Sequence, residues 1–145
     1  MDSPQPVNVF VIEDNADNLY VTQRLLNKAV KVDFCNARAS GAMFFQWLHR
    51  SETTKLNPKL RELDLILLDI QIPREDGYTI LRQIRQTPEL NSTKVIAVTS
   101  NVMPDDVVRA REAGFDGFIG KPLDTERFPE QIRRILAGEA VWEPR

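Results

Sequence analysis

A chain of 145 residues with a formal charge of −2 and 42% hydrophobic residues is long enough to bury a core as one domain, without disulfides or a structural metal. The mildly acidic balance, with no basic stripe or arginine-rich arm, argues against nucleic acid as a partner. No apolar run approaches the ~18 residues of a membrane span. The lone cysteine, Cys35, lacks an internal disulfide partner, and its setting Val32-Asp33-Phe34-Cys35 predicts a buried, inert thiol. Met1–Pro6 is acidic and proline-rich, unlike a secretory signal, which makes a cytoplasmic protein with no membrane partner the default expectation.

In chain order, residues 1–6 read as a disordered lead-in and Val7–Ile12 as a first strand. Asn15 or Asp17 can cap a helix to about Ala29, with Leu19, Val21, Leu25 and Leu26 as its apolar face. A short second strand, Val32–Cys35, precedes a helix over about Ala39–Arg50 whose apolar content is Ala42, Met43, Phe45, Trp47 and Leu48. Ser51–Leu63 is polar, carries Pro58 and reads as a loop. Leu65–Leu68 is a third strand; Pro73 and Gly77 shape the loop before a helix over about Tyr78–Gln86, stopped by Thr87-Pro88. Val95–Val98 is a fourth strand, followed by a helix entered at Pro104, carrying Val107, Val108 and Ala110 and ended by Gly114. Gly117–Gly120 is a fifth strand, and Asp124 or Thr125 caps a last helix to about Ala137, closed by Gly138. Strand and helix alternate five times, so right-handed crossovers demand a doubly wound parallel sheet with helices on both faces.

Continuous apolar strands of this kind are buried on both faces, and their shared direction brings their carboxyl ends to one edge, where open α/β folds place ligands. Glu13 and Asp14 follow the first strand, Asp69 the third, Thr99 ends the fourth and Lys121 follows the fifth. Three clustered carboxylates repel one another unless a cation fills them. All-oxygen ligands, with no histidine or cysteine nearby, suit Mg²⁺ or Mn²⁺ rather than zinc. Lys121 either forms a structural salt bridge or supplies a mobile cation for phosphoryl oxygens, and Thr99 offers a hydroxyl donor. The bond from Lys121 into Pro122, directly after a strand, is a candidate cis peptide. The combination fits transfer of a phosphoryl group to a carboxylate.

Taken together, Val11-Ile12-Glu13-Asp14-Asn15, Leu67-Leu68-Asp69-Ile70-Gln71-Ile72-Pro73 with Asp76-Gly77, Ala97-Val98-Thr99-Ser100 and Gly120-Lys121-Pro122-Leu123 resemble the receiver domain of two-component response regulators, over about residues 7–137. The resemblance implies a flavodoxin-like, five-stranded parallel sheet of order 2-1-3-4-5. It implies that Asp69 accepts a phosphoryl group from a sensor histidine kinase or a histidine phosphotransfer protein, and that the chain catalyses only its own phosphorylation and dephosphorylation. Asp14, Asp69 and the Gln71 backbone carbonyl would ligate Mg²⁺, with Glu13 acting through water, and Thr99 and Lys121 would bind phosphoryl oxygens. Phe118 is either a core residue or, by resemblance, the aromatic that reorients when Thr99 moves. Output would pass to a downstream protein, or to a phosphorylation-dependent homodimer, through the face of the fourth helix, fifth strand and fifth helix.

Departures from the family pattern are Glu13 for a frequent aspartate, Ile72 for a frequent methionine and Ser100 for a usual alanine. The segment from Gly138 to Arg145 reads as a short tail with no room for an output module, which leads to the expectation of a stand-alone regulator. Trp142 in it is either a packing anchor or an exposed contact. Two rival classes fit less well. A haloacid-dehalogenase-like phosphatase wants a second aspartate where Gln71 stands. A flavin- or dinucleotide-binding module wants a phosphate loop where Glu13-Asp14 would repel the anion.

Overall fold

The computed structural model describes residues 6–50 and 62–144. Its elements are β1 (Val7–Ile12), α1 (Ala16–Ala29), β2 (Val32–Arg38), α2 (Gly41–Leu48), β3 (Leu65–Asp69), α3 (Gly77–Arg85), a 3₁₀ turn (Pro88–Leu90), β4 (Lys94–Thr99), α4 (Pro104–Ala113), β5 (Gly117–Gly120), α5 (Arg127–Leu136) and β6 (Val141–Glu143). The sheet runs β2-β1-β3-β4-β5-β6 with every neighbouring pair parallel. The order 2-1-3-4-5 is therefore as expected, and a sixth strand corrects the five-stranded reading. Val141-Trp142-Glu143, read from the sequence as tail, pairs with the outer edge of β5. Three residues are too few to show a strand period, and the groups that hold them lie elsewhere in the chain.

Strand alternation divides the core in two. Ile12, Leu68, Ala97 and Phe118 share one register line and face the layer of α2, α3 and α4, where Phe44, Leu81, Ile84 and Ala110 are fully or almost fully buried. Val11, Leu67 and Ile96 face α1 and α5, against Leu26, Phe128 and Ile132. Each such buried aliphatic or aromatic side chain contributes about 1.5–3 kcal/mol by leaving water. That burial holds the strand ends in place from below.

Helix starts are set by short polar side chains, as the sequence anticipates at Asn15. Its carboxamide oxygen accepts from the Asn18 N–H at 2.9 Å, Ser40 does the same for Met43 at 3.1 Å, and Asp76 for Tyr78 at 3.1 Å. Asp124 accepts from the N–H groups of Glu126 and Arg127, both at 2.8 Å. The buried stripe of α1 is Thr22, Leu25, Leu26 and Ala29, whereas Val21 is exposed. Thr22 can be buried because its hydroxyl donates to the Asn18 carbonyl at 2.8 Å. In α2 the core residues are Phe44, Trp47 and Leu48 rather than the exposed Met43. On α4, Ala110 is buried and Val108 is exposed.

β2 extends to Arg38, past the short apolar stretch that marks it, because β1 offers backbone partners along its length through Ile12↔Arg38. Cys35 is half-buried, and burial pushes its thiol pKa up, consistent with an unreactive side chain. The lead-in at residues 1–5 and the loop expected over most of Ser51–Leu63 lie outside the described residues. Leu63, at the end of that stretch, is buried, and its carbonyl accepts from the Thr93 hydroxyl at 2.6 Å. It leads into the start of β3, the end opposite Asp69.

Candidate functional site

The carboxyl ends of β1, β3, β4 and β5 converge as the strand reading requires. Asp69 closes β3, and Thr99, fully buried, closes β4. The Lys121 ammonium lies between two carboxylates, 2.6 Å from Glu13 Oε1 and 3.1 Å from Asp69 Oδ2. The second Asp69 oxygen, Oδ1, accepts from the Gln71 N–H at 2.9 Å, and Glu13 Oε2 accepts from the Asn15 N–H at 3.4 Å. Asp14 is exposed, but one of its carboxylate oxygens joins one each from Glu13 and Asp69 in a cluster spanning no more than 4.8 Å. The Lys121 N–H donates to the Thr99 carbonyl at 2.8 Å, locking β5 to β4 at the site, and the Lys121-Pro122 peptide is cis.

Burial shapes the charges here. It pushes the Glu13 carboxyl above its usual value, Lys121 opposes that push, and Asp69 reinforces it. Burial also works against the Lys121 ammonium. The Glu13 hydrogen bond and the Asp69 charge more than offset it, so Lys121 ends above the ordinary lysine value. The site thus holds three acids against one cation, an imbalance that a divalent ion relieves. The donor set is all oxygen, and no histidine or cysteine joins it among the described residues. Hard ligands of this kind fit Mg²⁺ or Mn²⁺.

The loop between Asp69 and α3 is tied down on both sides. Glu75 reaches the start of α2, its carboxylate accepting from the N–H groups of Gly41 at 2.7 Å and Ala42 at 3.0 Å. Gly77 lets α3 come close, since a Cβ there would sit 2.8 Å from the Ile70 Cα. The Gln71 side chain has a role the sequence did not reveal. Its Oε1 accepts from the Thr99 hydroxyl at 3.3 Å and from the Ser100 N–H at 3.2 Å. Two donors at the end of β4 are therefore occupied by a neutral side chain. Nothing in the local pattern signals this, because it depends on the path of the loop in space.

Phe118 is fully buried within the α2–α3–α4 layer. Its backbone pairs with Trp142 in β6, which covers the edge of β5. In this conformation the ring is packed as a core residue. Trp142 is half-buried against the same core, with the Arg111 guanidinium 5.0 Å from its ring centroid, so it serves as a packing anchor.

A doubly wound parallel sheet carrying an acidic cluster and a lysine at its carboxyl edge defines a class of α/β domain whose charged groups converge where its strands end. Residues 9–133 match the model of the response regulator receiver domain, and the chain belongs to that family. It is 32% identical over 131 residues to the polar-differentiation response regulator DivK of Brucella anthropi, covering 90% of this chain and 97% of that protein. It is also 30% identical over 141 residues to the signal transduction histidine-protein kinase BarA of Escherichia coli K12, where it covers 97% of this chain but spans only 14% of the kinase. A LuxR-family two-component response regulator from Aurantimonas shares the fold, with a TM-score of 0.77 at 18% identity, covering 97% of this chain and 91% of that one. The BeF3-activated DrrB receiver domain does so with a TM-score of 0.70 at 22% identity, covering 92% and 99%.

Proposed function

We propose that Asp69 accepts a phosphoryl group from a sensor histidine kinase or a histidine phosphotransfer protein, in a reaction that requires Mg²⁺ or Mn²⁺. The observation that carries this reading is the Asp69 carboxylate itself. It is almost wholly buried, held by Lys121 on one oxygen and by the Gln71 N–H on the other, beside two further carboxylates. Carboxylate attack on phosphorus forms an acyl phosphate P–O bond as the donor's P–N bond breaks, and the proton ends on the leaving imidazole. Asp14, Asp69 and the Gln71 backbone carbonyl would hold the cation, with Glu13 acting through water. The cation supplies neutralisation of charge between carboxylate and phosphoryl oxygens.

The chain's own residues do the positioning. Lys121 can exchange its contact with Glu13 for a phosphoryl oxygen, and the Thr99 hydroxyl can leave Gln71 for another. Output is read at the α4–β5–α5 face, by a downstream protein or by a second copy of the chain. Thr99 and Phe118 link the site to that face through adjacent strands, since Ala97 in β4 pairs with Phe118 in β5. The reading makes the protein a signalling module whose chemistry is confined to its own phosphorylation and dephosphorylation.

Beryllofluoride with Mg²⁺, followed by NMR, tests the proposal. Shifts at Asp69, Thr99 and Lys121 that extend to residues of α4 and β5 are expected, and they should disappear with EDTA. Shifts confined to the Asp69 loop would reject the output route, and an absence of shifts would reject the site.

A further inference from the structure

The sixth strand lies in a groove made for it. A Cβ at Gly117 would stand 2.8 Å from the Val141 carbonyl oxygen, and one at Gly120 would fall on the Pro144 carbonyl. The two glycines that bound β5 thus leave its outer edge open to another backbone. The three residues of β6 alternate between layers. Val141 is fully buried beside the α5 core, and Trp142 turns to the opposite layer beneath Arg111. Glu143 returns to α5, where its carboxylate accepts from Gln131 at 2.9 Å, Arg134 at 2.8 Å and Arg127 at 3.1 Å. Backbone pairing, an apolar slot, a cationic seat for an aromatic ring and a two-arginine seat for an acid make up a strand-addition site.

We infer that the outer edge of β5 is a binding site for an extended, parallel segment of a partner protein carrying an apolar residue, an aromatic and an acid in succession. Val141-Trp142-Glu143 is its resident competitor. The charge on the groove selects the partner: Arg111, Arg127 and Arg134 all face the bound strand, so an acidic, aromatic-bearing segment fits and a basic one does not. The site lies on the face between α4 and α5, and a partner that docks there has to displace β6 first. A covalently tethered competitor acts at an effective concentration on the order of millimolar, which keeps the groove shut to weak partners. Edge pairing on one side only, over three residues, leaves β6 to open by local rather than global unfolding. The inference does not depend on Asp69 taking a phosphoryl group.

The probe is a labelled peptide of sequence Glu-Ala-Val-Trp-Glu-Pro-Arg, that of residues 139–145. It is titrated against the full wild-type chain and against the full chain carrying Trp142→Ala and Glu143→Lys, whose own strand no longer fits. The peptide should bind the double variant at least ~10-fold more tightly than wild type, and adding Arg134→Glu should abolish binding. A folded double variant that fails to bind, or that binds no more tightly than wild type, overturns the inference. Hydrogen exchange on the wild-type chain gives a second reading that needs no variant to fold. The amides of Val141–Glu143 should exchange through an opening of lower free energy than those of Val95–Val98. Exchange of both sets only in the same global event would make β6 a fixed part of the core and overturn the inference.

Discussion

Removing the Lys121 ammonium while keeping its length, as Lys121→Met, leaves Glu13 and Asp69 facing each other with side chains only 4% and 8% exposed. Breaking a buried pair by deleting one partner costs about 3–5 kcal/mol when the orphaned charge must stay. Here Glu13 has an escape, because it can take a proton and bond to Asp69. At about 1.36 kcal/mol per pH unit, protonating a carboxyl with an ordinary value of 4.5 costs about 3.4 kcal/mol at pH 7 and about 0.7 kcal/mol at pH 5. The penalty of the substitution is therefore capped near those values. Losing Lys121 removes the contacts that lower the Glu13 value and leaves burial and Asp69, which raise it, so the variant's penalty is small below the unfolded value and grows as pH rises toward the further raised folded one. The variant should be within about 1 kcal/mol of wild type at pH 5 and roughly 3 kcal/mol less stable at pH 7, equivalent to a fall of about 6–12 °C in melting temperature. Saturating Mg²⁺ should recover much of the loss, since a ligand at 100 times its Kd stabilises by about 2.7 kcal/mol. Urea melts at the two pH values, with and without Mg²⁺, measure this. A loss that is the same at pH 5 and pH 7, or no loss at all, would refute the charge balance described for the site.

Asp14→Asn removes one of the clustered acids from an exposed position, so in metal-free buffer it should be as stable as wild type or more so, with a smaller gain in thermal stability on adding Mg²⁺. Gln71→Ala frees the Thr99 hydroxyl and the Ser100 N–H from their shared acceptor. Stopped-flow measurement of beryllofluoride binding should therefore show a faster approach to the bound state; an unchanged rate would mean that the Gln71 contact does not hold Thr99 back. Glu143 is held below the usual glutamate value first by the Gln131 amide, then, against burial, by Arg134 and Arg127. Its contribution is present above the unfolded value of 4.5 and is lost as pH falls through the folded one, so the Trp142 indole resonance should shift toward a disordered position in acid below about pH 4.5. Glu143→Gln should remove that pH dependence.

How much of this was legible in the sequence depends on where the stabilising groups lie. Strands of unbroken apolar residues, such as Leu65–Leu68, announce a sheet covered on both faces, and the residues that end them fall at one edge for that reason alone. Glu13, Asp14, Asp69, Thr99 and Lys121 were therefore readable as a cluster before any distance was known. Helix faces are less legible: Val21 belongs to the apolar face expected of α1 and Met43 to the apolar content of α2, yet both are exposed, while Thr22 and Phe44 fill the core. A buried threonine is invisible to an apolar count when its hydroxyl is satisfied by its own helix. β6 is not legible in the sequence because its stability is not local, residing in two glycines of β5 and a pair of arginines on α5. The role of the Gln71 side chain is hidden for a similar reason, since only the folded loop brings it to Thr99.

The central claim is tested most directly by incubating the chain with acetyl phosphate and Mg²⁺ and measuring its intact mass. One added phosphoryl group is expected, mapped to Asp69, absent in Asp69→Asn and absent when EDTA replaces the metal. Undiminished labelling of Asp69→Asn, or labelling of the wild type that is indifferent to the divalent cation, would contradict it.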